Sequence, residues 1–168
     1  MKKLLSILLV FVFICSCAYA ETEKTFEQSS KEIVESFNSF MYALHTLSGV
    51  DYYGDSYKEE YANEKHFILL VNRDCSLNID QSNGKATKVS VITHDITDKT
   101  NISNIVAAFF ALLSATNFEY FGGEATYEEE LDAIMADGLP HTIGNVTYTY
   151  TDTRPIFKIV SLNAEPAE

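Results

Sequence analysis

The chain has no tryptophan, and its 168 residues include only three prolines and three cysteines. Cys15 and Cys17 fall in the first twenty residues, which leaves Cys75 alone in the remainder. An internal disulfide is therefore excluded there, and stability has to come from a hydrophobic core. A single cysteine in a strand-like segment reads as a small buried apolar residue. Positive charge is scarce as well: 12 Lys and Arg face 24 Asp and Glu, for a net charge of −12. So acidic a surface repels phosphate backbones, which argues against nucleic acid as a partner.

Reaction signatures are absent too. No HxxxH or CxxC spacing, GxSxG elbow, phosphate loop or dinucleotide fingerprint occurs. Asp80, Ser82 and Gly84 loosely follow a calcium loop, but Val91 stands where its last acid is required. The histidines, His45, His66, His94 and His141, are scattered without a close pair. No residue is assigned to catalysis, to a metal or to a cofactor on these grounds.

What the sequence does contain begins with MKKLLSILLVFVFICSCAYA. Two lysines, an apolar stretch from Leu4 to Ile14 and a small-residue Ala18-Tyr19-Ala20 site form an export signal spanning 1–20. Within it, Ile14-Cys15-Ser16-Cys17 resembles a bacterial lipobox, so lipidation of Cys17 competes with cleavage after Ala20. The expected location is secreted or periplasmic, or lipid-anchored at the cell envelope, with the membrane met only through that anchor. Removing the signal takes away Lys2 and Lys3, so 10 cations face 24 acids and the net charge becomes −14.

Asn101 to Asn117, NISNIVAAFFALLSATN, is the most apolar run outside the signal and is apolar all round a helix. It is too short to cross a bilayer, which takes about 20 residues, and reads as the buried axis of a small domain. Thr25 to Ser48 reads as an amphipathic helix with Phe26, Ile33, Phe37, Phe40, Leu44 and Leu47 on one face, Thr25 or Ser29 starting a capping box and Gly49 ending it. His66 to Asp95 reads as one long hairpin whose first strand, bent at Asn72-Arg73-Asp74, carries its apolar residues at odd positions. Face matching requires odd residues to oppose odd residues. A three-residue loop, Ser82-Asn83-Gly84, achieves that by pairing Leu77 with Val89 and Cys75 with Val91. FEYFGG, from Phe118 to Gly123, reads as a turn, and Thr126 to Asp137 as a helix with a Thr126–Glu129 capping box. A second hairpin runs from Val146 to Leu162 with its turn at Asp152 to Pro155.

These elements predict an α+β domain over 21–163 in the order α-β-β-α-α-β-β. Two hairpins make an antiparallel four-stranded sheet packed on helices, and 164–168 form a disordered tail. The plan resembles that of β-lactamase-inhibitor-like and outer-membrane-assembly lipoprotein modules in topology alone. The expected function is a non-enzymatic binding module of the envelope or exterior that takes a protein partner. Tyr52, Tyr53, Tyr57 and Tyr61 form the candidate surface, because tyrosine offers large contact area at low entropy cost. The alternatives are a carrier of a small apolar ligand between sheet and helices, and a hydrolase using carboxylates.

Overall fold

Ser29 opens the first helix, α1 (Ser30–Ser48). Its hydroxyl accepts from the Glu32 N–H at 3.3 Å while its own N–H donates to the Glu32 carboxylate at 2.8 Å. Those bonds close a capping box, and donation to the carboxylate from the Ser29 N–H and hydroxyl holds the Glu32 carboxyl below its ordinary pKa. Gly49 ends the helix in the left-handed region at φ 68°. The helix starts later than Thr25 because the preceding backbone is committed elsewhere. The Phe26 N–H donates to the Ala86 carbonyl at 2.8 Å, and the Ser30 N–H to that of Gly84 at 3.0 Å. The computed structural model describes residues 24–54, 61–62, 65–93, 102–121, 126–154 and 156–167, with 61 and 62 described by strand pairing alone. The export signal, Cys17, Tyr57 and His94 lie outside the described residues.

Among the described residues seven strands follow: β1 (Tyr61–Ala62), β2 (His66–Leu70), β3 (Cys75–Ser82), β4 (Lys85–Thr93), β5 (His141–Ile143), β6 (Val146–Asp152) and β7 (Val160–Pro166). They form one sheet in the order β1-β2-β3-β4-β7-β6-β5, antiparallel at every step. This corrects the expected four strands in two hairpins, and the element order with it. The single bent strand over 66–79 is two strands, β2 and β3, folded back at Asn72. Leu69 opposes Leu77 and Phe67 opposes Ile79, so odd still meets odd and the apolar phase is the same whether the chain bends or reverses. The Asn72 side-chain oxygen decides for reversal by accepting from the Asp74 and Cys75 N–H groups, each at 2.9 Å.

The β3–β4 turn also differs in its device. Asn83 and Gly84 both take positive φ, 53° and 76°, in a two-residue turn closed by Ser82 opposite Lys85. A bulge then restores the parity that such a turn breaks. Asp80 faces Lys88 but Gln81 faces Ala86, so Thr87 is the extra residue. Leu77 thus meets Val91 and Cys75 meets Thr93, two residues beyond the expected partners. Near the C-terminus β7 begins at Val160 and extends through Pro166. Residues 164–166 are strand, and no disordered tail begins at 164.

Among the described residues the connection between the meanders holds three helices: α2 (Ile102–Thr116), α3 (Phe118–Phe121) and α4 (Tyr127–Asp137). FEYF is therefore a short helix where a turn was expected. Thr126 makes no side-chain capping bond at the start of α4, so its expected capping box does not form. α2 packs on β3, β4 and β7, and against α1 and α4. Phe109, Leu112 and Leu113 of α2 share one core with Ile33, Phe37 and Met41 of α1 and with Leu77, Val89, Val91, Tyr148 and Leu162 of the sheet. Leu47, expected in the stripe of α1, is 82% exposed beyond that core. Among the described residues no helix is long and apolar enough to cross a membrane.

The opposite sheet face carries polar rows, although Ile68, Leu70 and Ile92 lie on it beside the loop end. Asn78, Ser90, Asn163 and Thr149 lie side by side in consecutive strands. The Ser90 hydroxyl donates to the Asn163 side-chain oxygen at 2.8 Å. In the next row Lys88 meets Glu165 at 2.8 Å and His66 meets Asp80 at 2.7 Å. Leu112, fully buried on α2, belongs to the core that the sheet and the helices share. Leu112→Ala should destabilise the fold by about 2–5 kcal/mol, read as a lower denaturant midpoint at unchanged slope.

Candidate functional site at the loop end of the sheet

Pairing of Cys75 with Thr93 and of Asp152 with Val160 brings one end of β3, β4, β6 and β7 together. The end is closed by a reciprocal bond. The Thr93 hydroxyl donates to the Val160 carbonyl at 3.0 Å and accepts the Val160 N–H at 2.7 Å. Here α1 hands over to the sheet and α2 begins. The Asp51 N–H donates to the Asn104 side-chain oxygen at 3.0 Å, and the Asn104 amide donates to the Asp74 carboxylate at 2.7 Å. Asn72, Asp74 and Asn104 are all buried, and the Asn72 side-chain nitrogen has no hydrogen-bond partner. Arg73 is exposed, with its Nε 3.6 Å from the Asp74 carboxylate and 3.8 Å from that of Asp51. This network ties three chain segments together, and its acids are held by donors.

Of the four expected site residues, the structure places Tyr52 and Tyr53 at this end. Both are half-buried, and Tyr52 packs against the core. The Tyr53 N–H donates to the Val71 carbonyl at 3.0 Å, continuing along the β2 edge where Tyr61 and Ala62 pair with Ile68 and Phe67. Tyr53, Tyr61 and Ala62 thus cover parts of the β2 edge that would otherwise be open. Tyr57 lies outside the described residues, and Tyr61 is placed by its strand pairing only.

A second feature of the same end was missed from sequence. The loop between β6 and β7 exposes Ile156 by 77% and Phe157 by 66%, with Ile159 beside them. The loop holds itself in place. The Ile156 and Phe157 N–H groups donate to the Thr153 carbonyl at 2.9 and 2.8 Å, and the Thr153 N–H donates to the Ile159 carbonyl at 2.9 Å. Arg154 pairs with Asp152, which holds the Asp152 carboxyl below its ordinary pKa. The run Ile156-Phe157-Lys158-Ile159 reads as the start of a strand because it is apolar. Its available signal was the failure to alternate, since Ile156 and Phe157 are adjacent.

Reactive chemistry has little to work with among the described residues. Cys75 is fully buried, and burial, aided by the Asp74 charge, pushes its thiol up to about 12. It stays protonated at neutral pH and is a poor nucleophile. The described histidines stand apart: His45 contacts the Val50 carbonyl at 2.7 Å, His66 pairs with Asp80, and His141 with Asp137 at 3.1 Å. Among the described residues no three metal-ligating side chains gather. Between the helices, Phe40, Phe110 and Phe121 surround Tyr127 with ring centres 5.0–5.6 Å away, so these rings pack on one another.

Fold and site together describe an α+β layer protein with polar rows on one sheet face and an apolar loop end. Comparison with protein-family models, with curated proteins and with solved structures found no match to this chain.

Asn104→Ala should cost about 1–3 kcal/mol, because it strips a donor from the buried Asp74 carboxylate and an acceptor from the Asp51 amide. Chemical denaturation reads this directly. The Cys75 thiol should react with a thiol reagent only when the protein unfolds, with a labelling rate that follows global opening in denaturant.

Proposed function

We propose that this chain is an exported, non-enzymatic binding module that docks a protein partner through the loop end of its sheet. The observation that carries the reading is the pair Ile156 and Phe157, held out in water on a loop fixed by its own hydrogen bonds. Fully burying such a side chain is worth about 1.5–3 kcal/mol. A loop already ordered loses little conformational freedom when it binds, so more of that gain appears as affinity. Tyr52 and Tyr53 belong to the same end and extend the proposed surface, with Tyr57 and Tyr61 as its further members. Export rests on the signal-like residues 1–20, with a lipid anchor at Cys17 as the alternative to cleavage after Ala20. The carrier and hydrolase alternatives have less support, because the helix-layer rings pack on one another and the acids at this end, Asp51, Asp74 and Asp152, lie beside donors.

A double variant, Ile156→Ser with Phe157→Ser, should leave stability within about 0.5 kcal/mol, as exposed substitutions usually do. It should lower crosslinking to the physiological partner in intact envelopes at least tenfold. Undiminished crosslinking would remove the reading. Tyr52→Ala tests folding as well as binding because its ring packs on the core, so Tyr53→Ala is the more informative tyrosine change.

A further inference from the structure

The sheet has two edges, and they are treated differently. On the β2 side, Tyr53, Tyr61 and Ala62 lie along the outer strand. On the other side, β5 pairs with β6 only from Val146 to Tyr148, although β6 continues to Asp152. The cause is local. Position 140, which would oppose Thr149, is Pro140, and just before it Gly138 is left-handed at φ 67°. The Leu139 N–H donates to the Asp137 side chain at 2.9 Å, so the chain leaves the sheet there.

Strand alternation shows which backbone groups this exposes. The Thr153 N–H bonds to Ile159 across the β6–β7 hairpin, so the odd residues of β6 face β7 and the even ones face away. Tyr150 and Asp152 therefore present their N–H and C=O groups outward, and among the described residues no hydrogen bond reaches them. Unpaired strand edges are templates for an added strand. The helix packed on β6 is α4, whose first turn is Glu128, Glu129 and Glu130 and whose last turn has no basic residue. Exposed Asp132 and Asp137 extend that charge.

We infer that the free edge of β6 takes up an extended, basic segment of a partner protein as a further antiparallel or parallel strand. Main-chain bonds to Tyr150 and Asp152 hold the segment, and the acids of α4 select its cations. Exposed Leu139 lies at one end of the open edge and Ile156 and Phe157 lie beyond the other, offering apolar contacts to its flanks. The inference rests on the protein-binding reading and adds to it the conformation and charge of the bound segment.

The test uses the full chain with two synthetic probes, acetyl-Lys-Val-Lys-Val-Lys-Val-amide and the same peptide N-methylated on every residue, which leaves neither edge able to donate. The unmodified probe should slow exchange of the Tyr150 and Asp152 amide protons at least tenfold, and the methylated one should bind at least tenfold more weakly. Equal binding of the two would mean that charge alone attracts them and would overturn the assignment. Protection confined to other residues, or no binding of the unmodified probe, would overturn it as well. If the edge fails in any of these ways while Ile156→Ser/Phe157→Ser still loses partner crosslinking, the protein-binding reading stands and only the edge falls.

Discussion

The burial of α2 is the constraint on which the rest of the molecule depends. Every described residue from Ala107 to Asn117 is buried except Phe110, which is half-buried. A helix so uniformly apolar has no polar side to turn to water and must be covered all round. β3, β4 and β7 cover one side, while α1 and α4 cover others. Because β4 and β7 belong to different meanders and pair only with each other across the centre, the same helix spans the seam between the two halves. The two meanders share one hydrophobic core.

Each end of that helix is tied by buried polar groups. At its start, Asn104 bonds Asp74 and the Asp51 amide; at its finish, Thr116 bonds the Tyr148 hydroxyl at 2.9 Å and Asn117 donates to the Ile143 carbonyl at 2.7 Å. Buried polar groups are tolerable when paired and costly when not. They add direction to a hydrophobic contact that has little, setting how far α2 slides along the sheet. The loops at the Asn104 end are therefore held on a rigid base. That base carries the exposed Ile156 and Phe157.

Much of this could be read from the residues, and the failures have specific causes. Periodicity located α1 and α4, the Ser29–Glu32 capping box marked the start of α1, and the uniform apolarity of Ile105 to Ala115 identified the core axis. The even-odd rule for the first hairpin held, but a two-residue turn plus a bulge at Thr87 satisfies it as well as a three-residue loop does, so the register moved. Parity is likewise blind to the reversal at Asn72, which hid β2. β5 is only three residues long, too short to carry a pattern, and it was lost along with the count of strands. On the functional side, the tyrosine-rich stretch was visible as composition, but its use as an edge cover depends on the hidden strand. Ile156 and Phe157 were masked by their own apolarity, which mimics a strand.

The fold thus separates two duties. One face and the helix layer supply the shared core, and the loop end and the outer edge of β6 are where we propose that recognition takes place. The central claim is that α2 welds both meanders into one unit, and native-state hydrogen exchange tests it most directly. The amides of Val89 to Ile92 in β4 and of Ser161 to Ala164 in β7 should exchange with the same opening free energy as those of α2, equal to that of global unfolding. If the β5–β7 meander opens at a distinctly lower free energy while β2–β4 and α2 stay protected, the two halves are separate units and the account is contradicted.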